Sequence, residues 1–85
     1  MPVVKLYANL RKLAGTKELS ITRSTVGAVL NELARQKPRV GEVIVDSGGL
    51  RQHIVVAVNG HNVLDLEMPV TEEDVVAIFP PIAGG

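Results

Sequence analysis

The sequence has no cysteine and no tryptophan, and among Phe, Trp and Tyr it holds only Tyr7 and Phe79. Without cysteine, disulfides, thiolate nucleophiles and thiolate metal sites are excluded. The formal net charge is zero, which together with the scarce aromatics argues against nucleic-acid binding. No apolar run approaches the roughly 20 residues of a membrane span, and no signal peptide is visible. The 85 residues therefore predict one small cytoplasmic domain with an aliphatic core.

Hydrophobic alternation and turn signals predict the strands. The last one is apolar on both faces, which is typical of a central strand. A short helical turn closed by Gly15 separates the first two strands, and an Asn59-Gly60 turn precedes a short strand. The predicted strands are residues 3–8, 17–22, 54–58, 61–64 and 75–79.

One helix is clearly indicated. Ser24 or Thr25 is a good N-cap, and Pro38 ends the periodic segment. Its apolar positions follow the spacing of one helix face, namely Val26, Val29, Leu30 and Leu33. The element order predicts an α+β fold, with one main helix packed on one face of a mixed four- to five-stranded sheet.

Residues 39–52 are the least readable part of the sequence. Residues 43–45 are apolar and predict either a short helix or an edge strand, and residues 47–49 predict a flexible turn. A structureless loop of this length is unusual in a compact domain. We therefore expect some order in this segment.

The opposite face of the sheet is a candidate docking surface, because one helix covers only one face. The alternating positions that should point away from the helix are Val3, Tyr7, Val55, Ala57, Val75 and Phe79. Two interpretations stay open. Either loop residues such as Leu50 and Leu66 cover this face, or a partner protein docks on it.

The chain ends in a narrow segment that follows Pro80 and Pro81 and finishes with Gly84 and Gly85. Proline holds an extended course, and glycine lets backbone pass where a side chain would clash. Such a segment suits threading into another protein's active site, where the Gly85 carboxylate is the reacting group. The alternative is a tail without function.

No residue set predicts catalysis by this chain alone. His53 and His61 flank the Asn59-Gly60 turn, and a metal site there would need a third ligand such as Asp65 or Glu67. Solvent-facing histidines are the favoured interpretation, so we expect no metal and no bound cofactor. The glycine pairs lack the Lys and Ser/Thr of a phosphate loop.

Residues 74–85 read DVVAIFPPIAGG, which closely resembles the C-terminal signature of the MoaD/ThiS-type sulfur carriers, prokaryotic ubiquitin-like proteins. Residues 6–10 (LYANL), 25–30 (TVGAVL) and 54–60 (IVVAVNG) agree with that family. The resemblance covers nearly the whole chain and is closest to the MoaD-like branch. It implies a ubiquitin-like β-grasp domain over residues 1–80, followed by a flexible tail at residues 81–85.

The resemblance also implies the chemistry. An E1-like adenylyltransferase of the MoeB/ThiF type would use ATP to adenylate Gly85, and sulfur transfer would give a thiocarboxylate. The expected acceptor is a MoaE-type large subunit, which would make this chain the small subunit of molybdopterin synthase in molybdenum cofactor synthesis. Residues that would thread or contact the partner are Phe79, Pro80, Pro81, Ile82, Ala83 and Gly84.

Two other functions stay open. The same adenylate would serve a ubiquitin-like modifier joined through Gly85 to lysines of target proteins. A β-grasp binding module with an inert tail is the third. The sequence does not choose among the molybdopterin precursor, thiamine thiazole, transfer RNA and an amino-acid pathway as sulfur acceptor.

Overall fold

The computed structural model describes residues 2–46, 49–50 and 54–80. A five-stranded sheet has the strand order β2-β1-β7-β5-β6, and β3 and β4 form a separate two-stranded antiparallel sheet. The strands are β1 Val3–Leu6, β2 Glu18–Ser20, β3 Val45–Asp46, β4 Gly49–Leu50, β5 Val55–Val58, β6 His61–Asn62 and β7 Val75–Phe79. The helices are α1 Leu10–Ala14, α2 Val26–Gln36 and α3 Pro38–Ile44. A mixed five-stranded sheet with one main helix confirms the predicted fold class.

Strand β7 lies at the centre of the sheet, as its apolar sequence predicts. It pairs parallel with β1 and antiparallel with β5. Val76 and Ile78 are fully buried on the helix side, whereas Val75 and Ala77 on the other side are half-buried. Both edges of β7 are therefore hydrogen-bonded, and the last described strand is held on two sides.

Helix α2 begins and ends where the sequence predicts. Of the two candidate caps, Thr25 is the N-cap, because its hydroxyl accepts a hydrogen bond of 3.1 Å from the Ala28 amide. This bond satisfies one of the amide groups that a helix leaves free at its N-terminus. The apolar stripe is buried as predicted, and its members are Val26, Val29, Leu30 and Leu33.

The core fills the space between the sheet and the helices. Alternate residues of β1, β5 and β7 point into it, which places the opposite residues on the outer face of the sheet. The largest side chains that are almost fully inaccessible include Leu6, Leu10, Ile21, Leu30, Leu33, Ile44 and Ile78. The core is aliphatic throughout.

The middle segment contains a helix where the sequence allowed a helix or a strand. Pro38 ends α2 and also occupies the first turn of α3, where proline needs no amide partner. Val43 and Ile44 belong to α3, and Val45 begins β3. The expected order in this segment is confirmed for its described residues. Residues 47–48 and 51–53 lie outside the described part of the chain.

Several predicted strands are longer than the observed ones. The predicted first strand includes Ala8, but Ala8 is exposed and its φ of 53° places it in the left-handed region. Its carbonyl accepts the Arg11 amide at the start of α1, so the chain has already left the sheet. Leu64 was expected in the short strand after the turn, yet β6 ends at Asn62 and Leu64 is 99% exposed. Among the described residues, no helix has the length and apolarity needed to cross a bilayer.

Candidate functional site

The candidate site lies at the C-terminal end of β7, where the chain leaves the sheet. Phe79 is the last residue of β7, and Pro80 follows it half-buried. The predicted threading and carrier residues further on lie outside the described residues, namely Pro81, Ile82, Ala83, Gly84 and Gly85. Their roles stay predictions. The structure does describe the end of β7 and Pro80, which precede them in the chain.

A stack of two aromatic rings and one guanidinium group marks this end of the sheet. The parallel register pairs Leu6 with Ile78, so the following residues, Tyr7 and Phe79, lie side by side. Their ring centroids are 4.5 Å apart with an interplanar angle of 15°. The Arg11 Cζ lies 5.2 Å from the centroid of the Tyr7 ring, within range of a cation–π interaction. The only two aromatic residues of the Phe, Trp and Tyr class thus meet beside the exit of the chain.

Arg11 holds this arrangement through a second contact. Its Nε donates a 2.8 Å hydrogen bond to the carbonyl oxygen of Leu6, the last residue of β1. The sequence did not single out Arg11. The available signal was its spacing of four residues from Tyr7 across the start of a helix, but the stack itself needs the parallel pairing of β1 with β7.

The outer face of the sheet is open where its largest apolar side chains lie. Val55 is 39% exposed and Phe79 is 36% exposed, and the antiparallel register places these two residues opposite each other. Val3 and Val75 form another register pair on this face and are half-buried. Ala57 also lies on this face, but it is only 5% exposed, so it adds little contact surface.

Leu50 and Leu66 are both partly buried and pack against the core cluster. They also line a depression together with Val55 of the outer face. Whether loop residues such as these two cover part of the face stays a prediction. Whether a partner docks on Val3, Tyr7, Val55, Ala57 and Val75 stays a prediction.

The start of β7 is fixed by the side chain of Asn59. Its Oδ1 accepts the Val75 amide at 2.9 Å, and its Nδ2 donates to Asp74 Oδ1 at 2.8 Å. Asp74 Oδ2 accepts the Thr71 amide at 2.7 Å. The Thr71 amide, followed by the Asn59 amide group, holds the pKa of Asp74 below its usual value. Since Asn59 and Gly60 both have positive φ, at 52° and 86°, the predicted tight turn is confirmed.

A second polar cluster lies on α2. Glu32 accepts hydrogen bonds from Arg23, Arg35 and Gln36. The bonds from Arg35 and then Gln36 lower the pKa of Glu32 to about 2, and Glu32 raises the pKa of Arg35. The carboxylate is saturated with donors, which indicates a structural role rather than a reactive one.

The histidines do not assemble a metal site in the part of the chain that the structure describes. His61 lies exposed in β6, and His53 falls outside the described residues. Asp65, an imagined third ligand, instead accepts the Glu67 amide at 2.9 Å. No group of three or more His, Asp or Glu side chains that could hold a metal ion occurs among the described residues.

Residues 4–85 match the model of the ThiS family. The chain belongs to the ThiS family. This match covers every predicted site residue except Val3. The predicted resemblance is thus confirmed.

Several relatives are similar to this chain over almost their whole length. Small archaeal modifier protein 1 of Haloferax volcanii is 34% identical, with 95% of this chain and 97% of that protein covered. The molybdopterin synthase sulfur carrier subunit of Escherichia coli is 32% identical, with 96% of each covered. The solution structure of small archaeal modifier protein 1 from Methanosarcina acetivorans superposes with a TM-score of 0.90 at 35% identity, covering 99% of this chain and 95% of that chain.

These similarities show the fold of this ThiS family member and the kind of protein to which it is related. The fold is the ubiquitin-like β-grasp. One relative is named as a sulfur carrier and the others as modifiers. The chain therefore belongs to a family of ubiquitin-like sulfur carriers and protein modifiers, and its relatives in that family are small carrier or modifier proteins.

Proposed function

We propose that the chain is a sulfur carrier whose Gly85 carboxylate is adenylated by an E1-like enzyme of the MoeB/ThiF type and converted to a thiocarboxylate. The match to the ThiS family through residue 85 carries this proposal. Strand β7 supports it, because a strand paired on both edges leads directly into the segment that ends in Gly84 and Gly85. A strand that is held on both edges, followed by a segment that ends in two glycines, suits delivery of one terminal group to two successive enzymes.

The chemistry requires two displacements. A carboxylate oxygen of Gly85 attacks the α-phosphorus of ATP, and pyrophosphate leaves. A sulfide then attacks the carbonyl carbon of the acyl-adenylate. AMP leaves and carries away the Gly85 oxygen that had bonded to the α-phosphorus. The product is a terminal thiocarboxylate, and no oxidant or reductant is consumed. ATP belongs to the activating enzyme, so this chain itself needs no bound cofactor.

The destination that we favour is molybdopterin synthesis, with the chain as the small subunit beside a MoaE-type large subunit. The similarity to the Escherichia coli sulfur carrier subunit supports this assignment. The exposed Val55 and Phe79 side chains would give the large subunit an apolar contact next to the exit of the tail. The cytoplasm is the location that such a partnership requires.

The second candidate is a ubiquitin-like modifier, and the similarity to small archaeal modifier proteins favours it equally. Here the Nζ atom of a target lysine attacks the same acyl-adenylate and AMP leaves, which forms an isopeptide bond. Both functions share activation at Gly85, so one chain can serve both.

The test of the common step is the intact mass of the chain after incubation with ATP, sulfide and the E1-like enzyme of the same organism. We expect a species heavier by the difference between one sulfur and one oxygen atom, localised to Gly85 by fragmentation. A Gly84→Val variant should fold normally but fail to gain sulfur, since a branched side chain blocks close passage of the tail. Normal thiocarboxylation of Gly84→Val would refute the threading argument.

The test of the destination uses the activated chain. Sulfur transfer to a molybdopterin precursor in the presence of the MoaE-type subunit supports the carrier function. Lysine adducts of Gly85 in cell extract, without such transfer, support the modifier function. If deleting Gly84 and Gly85 changes neither result, the tail is inert and both proposals fail.

A further inference from the structure

Three cationic side chains converge beside the Tyr7–Phe79 stack. Lys5 lies on the outer face of β1, Arg11 lies in α1, and Lys17 immediately precedes β2. Together with Tyr7 and Glu18 they line a shallow depression of about 200 Å³. Lys5, Arg11 and Lys17 are all exposed, and we refer to these three residues as the basic cluster.

Backbone pairing brings the basic cluster together. The Leu6 amide donates to the Lys17 carbonyl at 2.9 Å, which fixes Lys17 beside the end of β1. Arg11 is held against the same residue through its Nε bond to the Leu6 carbonyl. Lys5 pairs in register with Glu18 across β1 and β2. The cluster is therefore a consequence of the fold and not of one loop.

The basic cluster carries uncompensated charge. Glu18 is the single carboxylate that lines the depression, against three cations. None of the ion pairs that join two described residues involves Lys5, Arg11 or Lys17, because both end on Glu32. Although the whole chain has zero formal net charge, the described residues that line this depression carry more positive than negative charge.

The opposite end of β7 is acidic. Glu72 and Glu73 form an exposed turn immediately before Asp74 and the start of β7. Because β1 runs parallel to β7, the basic cluster lies near the C-terminal ends of these strands and the acidic turn lies near their N-terminal ends. The charge is thus separated along the strand direction.

We propose that the basic cluster docks a carboxylate-bearing protein surface on the E1-like enzyme that takes up the tail. This inference rests on the proposed function. Phe79 and Val55 offer an exposed apolar centre, and the basic cluster lies beside it as a polar, solvent-accessible rim, which is the arrangement of core and rim found in specific protein interfaces. A fully extended segment of the five residues 81–85 spans at most about 18 Å. The surface that surrounds the entrance of the activating site must therefore come close to the basic cluster.

The structure favours an acidic protein over a nucleic acid as the occupant. Proteins that bind single strands use free aromatic faces for stacking bases, but the Tyr7 ring is already engaged by Phe79 and by Arg11. The zero net charge also removes the long-range attraction for a polyanion. A local patch of three cations matches a local patch of carboxylates.

The test compares two double variants of equal charge change. Lys5→Gln/Lys17→Gln removes two cations of the basic cluster. Lys12→Gln/Arg39→Gln removes two exposed cations outside the depression. The KM and kcat for adenylation of each chain are measured with the E1-like enzyme, with thermal unfolding as a check on folding.

We expect the cluster variant to raise KM roughly tenfold with little change in kcat, because rim charges act on encounter. The effect should shrink between about 0.01 M and about 0.15 M salt, as the Debye length falls from about 30 Å to about 8 Å. The control variant should stay within about twofold of the parent chain.

Four other outcomes would contradict the inference. An unchanged KM for the cluster variant at low salt overturns it and leaves the proposed function intact. An equal rise in KM for both variants shows a net-charge effect and also overturns it. If the parent chain is not adenylated at all, the proposed function fails and the inference fails with it. Binding of a short single-stranded RNA to the parent chain, lost in the cluster variant, would assign the surface to nucleic acid instead.

Discussion

At the scale of single residues, Asn59 shows how one side chain sets the position of the strand that bears the tail. It occupies the turn between β5 and β6, yet its two polar atoms bond to Asp74 and Val75. The Asn-Gly pair predicts the turn from the sequence. The hydrogen bonds to Asp74 and Val75, which lie 15 and 16 residues further along the chain, could not be predicted, because they depend on β5 and β7 being neighbours.

Replacing Asn59 separates its bonds from its backbone conformation. Asn59→Gly removes both side-chain hydrogen bonds but suits the φ of 52°, and should lower the free energy of unfolding by about 1–2 kcal/mol. Asn59→Ala should cost about 1 kcal/mol more, because alanine is strained in the left-handed region. Urea unfolding of both variants gives the comparison. Equal losses for the two would show that strain is unimportant at this turn.

At the scale of elements, the crossing of α2 and α3 depends on a close approach at Gly41. A Cβ atom at this position would lie 2.8 Å from the Ala34 Cβ and 3.0 Å from the Ala34 Cα. These are atoms of a packed helix, so neither can move cheaply. The contact explains why a residue of low helix propensity occupies the middle of α3.

Gly41→Ala should therefore destabilise the chain by about 1 kcal/mol, because overpacking outweighs the gain in helix propensity. Ala34→Gly alone should cost a similar amount through lost propensity. In the double variant part of the clash is relieved. Its loss of unfolding free energy should therefore be smaller than the sum of the two single losses, by about 0.5 kcal/mol or more. Thermal or urea unfolding of the four chains completes the cycle. Strict additivity would show that the two residues do not press on each other.

Elements with strong hydrophobic periodicity could be predicted from the sequence, whereas α3 could be predicted only in part. Helix α2 has an apolar stripe, a Thr25 cap and a stop at Pro38. In α3 the buried Val40 and Ile44 keep helical spacing, but β-branched residues and Gly41 are weak helix formers, so a strand was equally plausible. Its helical state comes from packing against α2, which local preference does not report.

At the scale of the whole molecule, two carboxylates couple folding to acid. Hydrogen bonds from Arg35 and Gln36 hold the pKa of Glu32 at about 2, against 4.5 for an unperturbed glutamate, and the pKa of Asp74 is also lowered. A depressed pKa in the folded state means that the stabilisation is present above about pH 4.5 and is lost as the pH falls toward about 2.

Thermal unfolding measured from about pH 6 down to about pH 2 tests this coupling. The Tm of the parent chain should fall most steeply below about pH 4.5, and Glu32→Gln should flatten that fall because it removes the titrating group. The variant should be less stable than the parent at neutral pH and approach it in acid. Parallel curves for the two chains would show that Glu32 does not link protonation to folding.

The candidate site could be predicted only in part, because some of its residues are brought together by the fold and not by their spacing in the sequence. The tail signature and the apolar alternation of β1, β5 and β7 lie along the chain, so the sequence displays them. The basic cluster draws on β1, α1 and the start of β2, and its side chains meet only through the strand pairing and the turn into α1. Arg11 and the two lysines were accordingly not predicted as site residues.

The central place of β7 also determines how the domain responds to a pull on its tail. A force applied beyond Phe79 runs along β7, across hydrogen bonds to β1 on one edge and to β5 on the other. Both ladders are loaded in shear, so their bonds must break together rather than one at a time. An edge strand would peel away under the same load. Under the proposed function, this arrangement would let an enzyme pull on the segment after Phe79 while the domain keeps its shape.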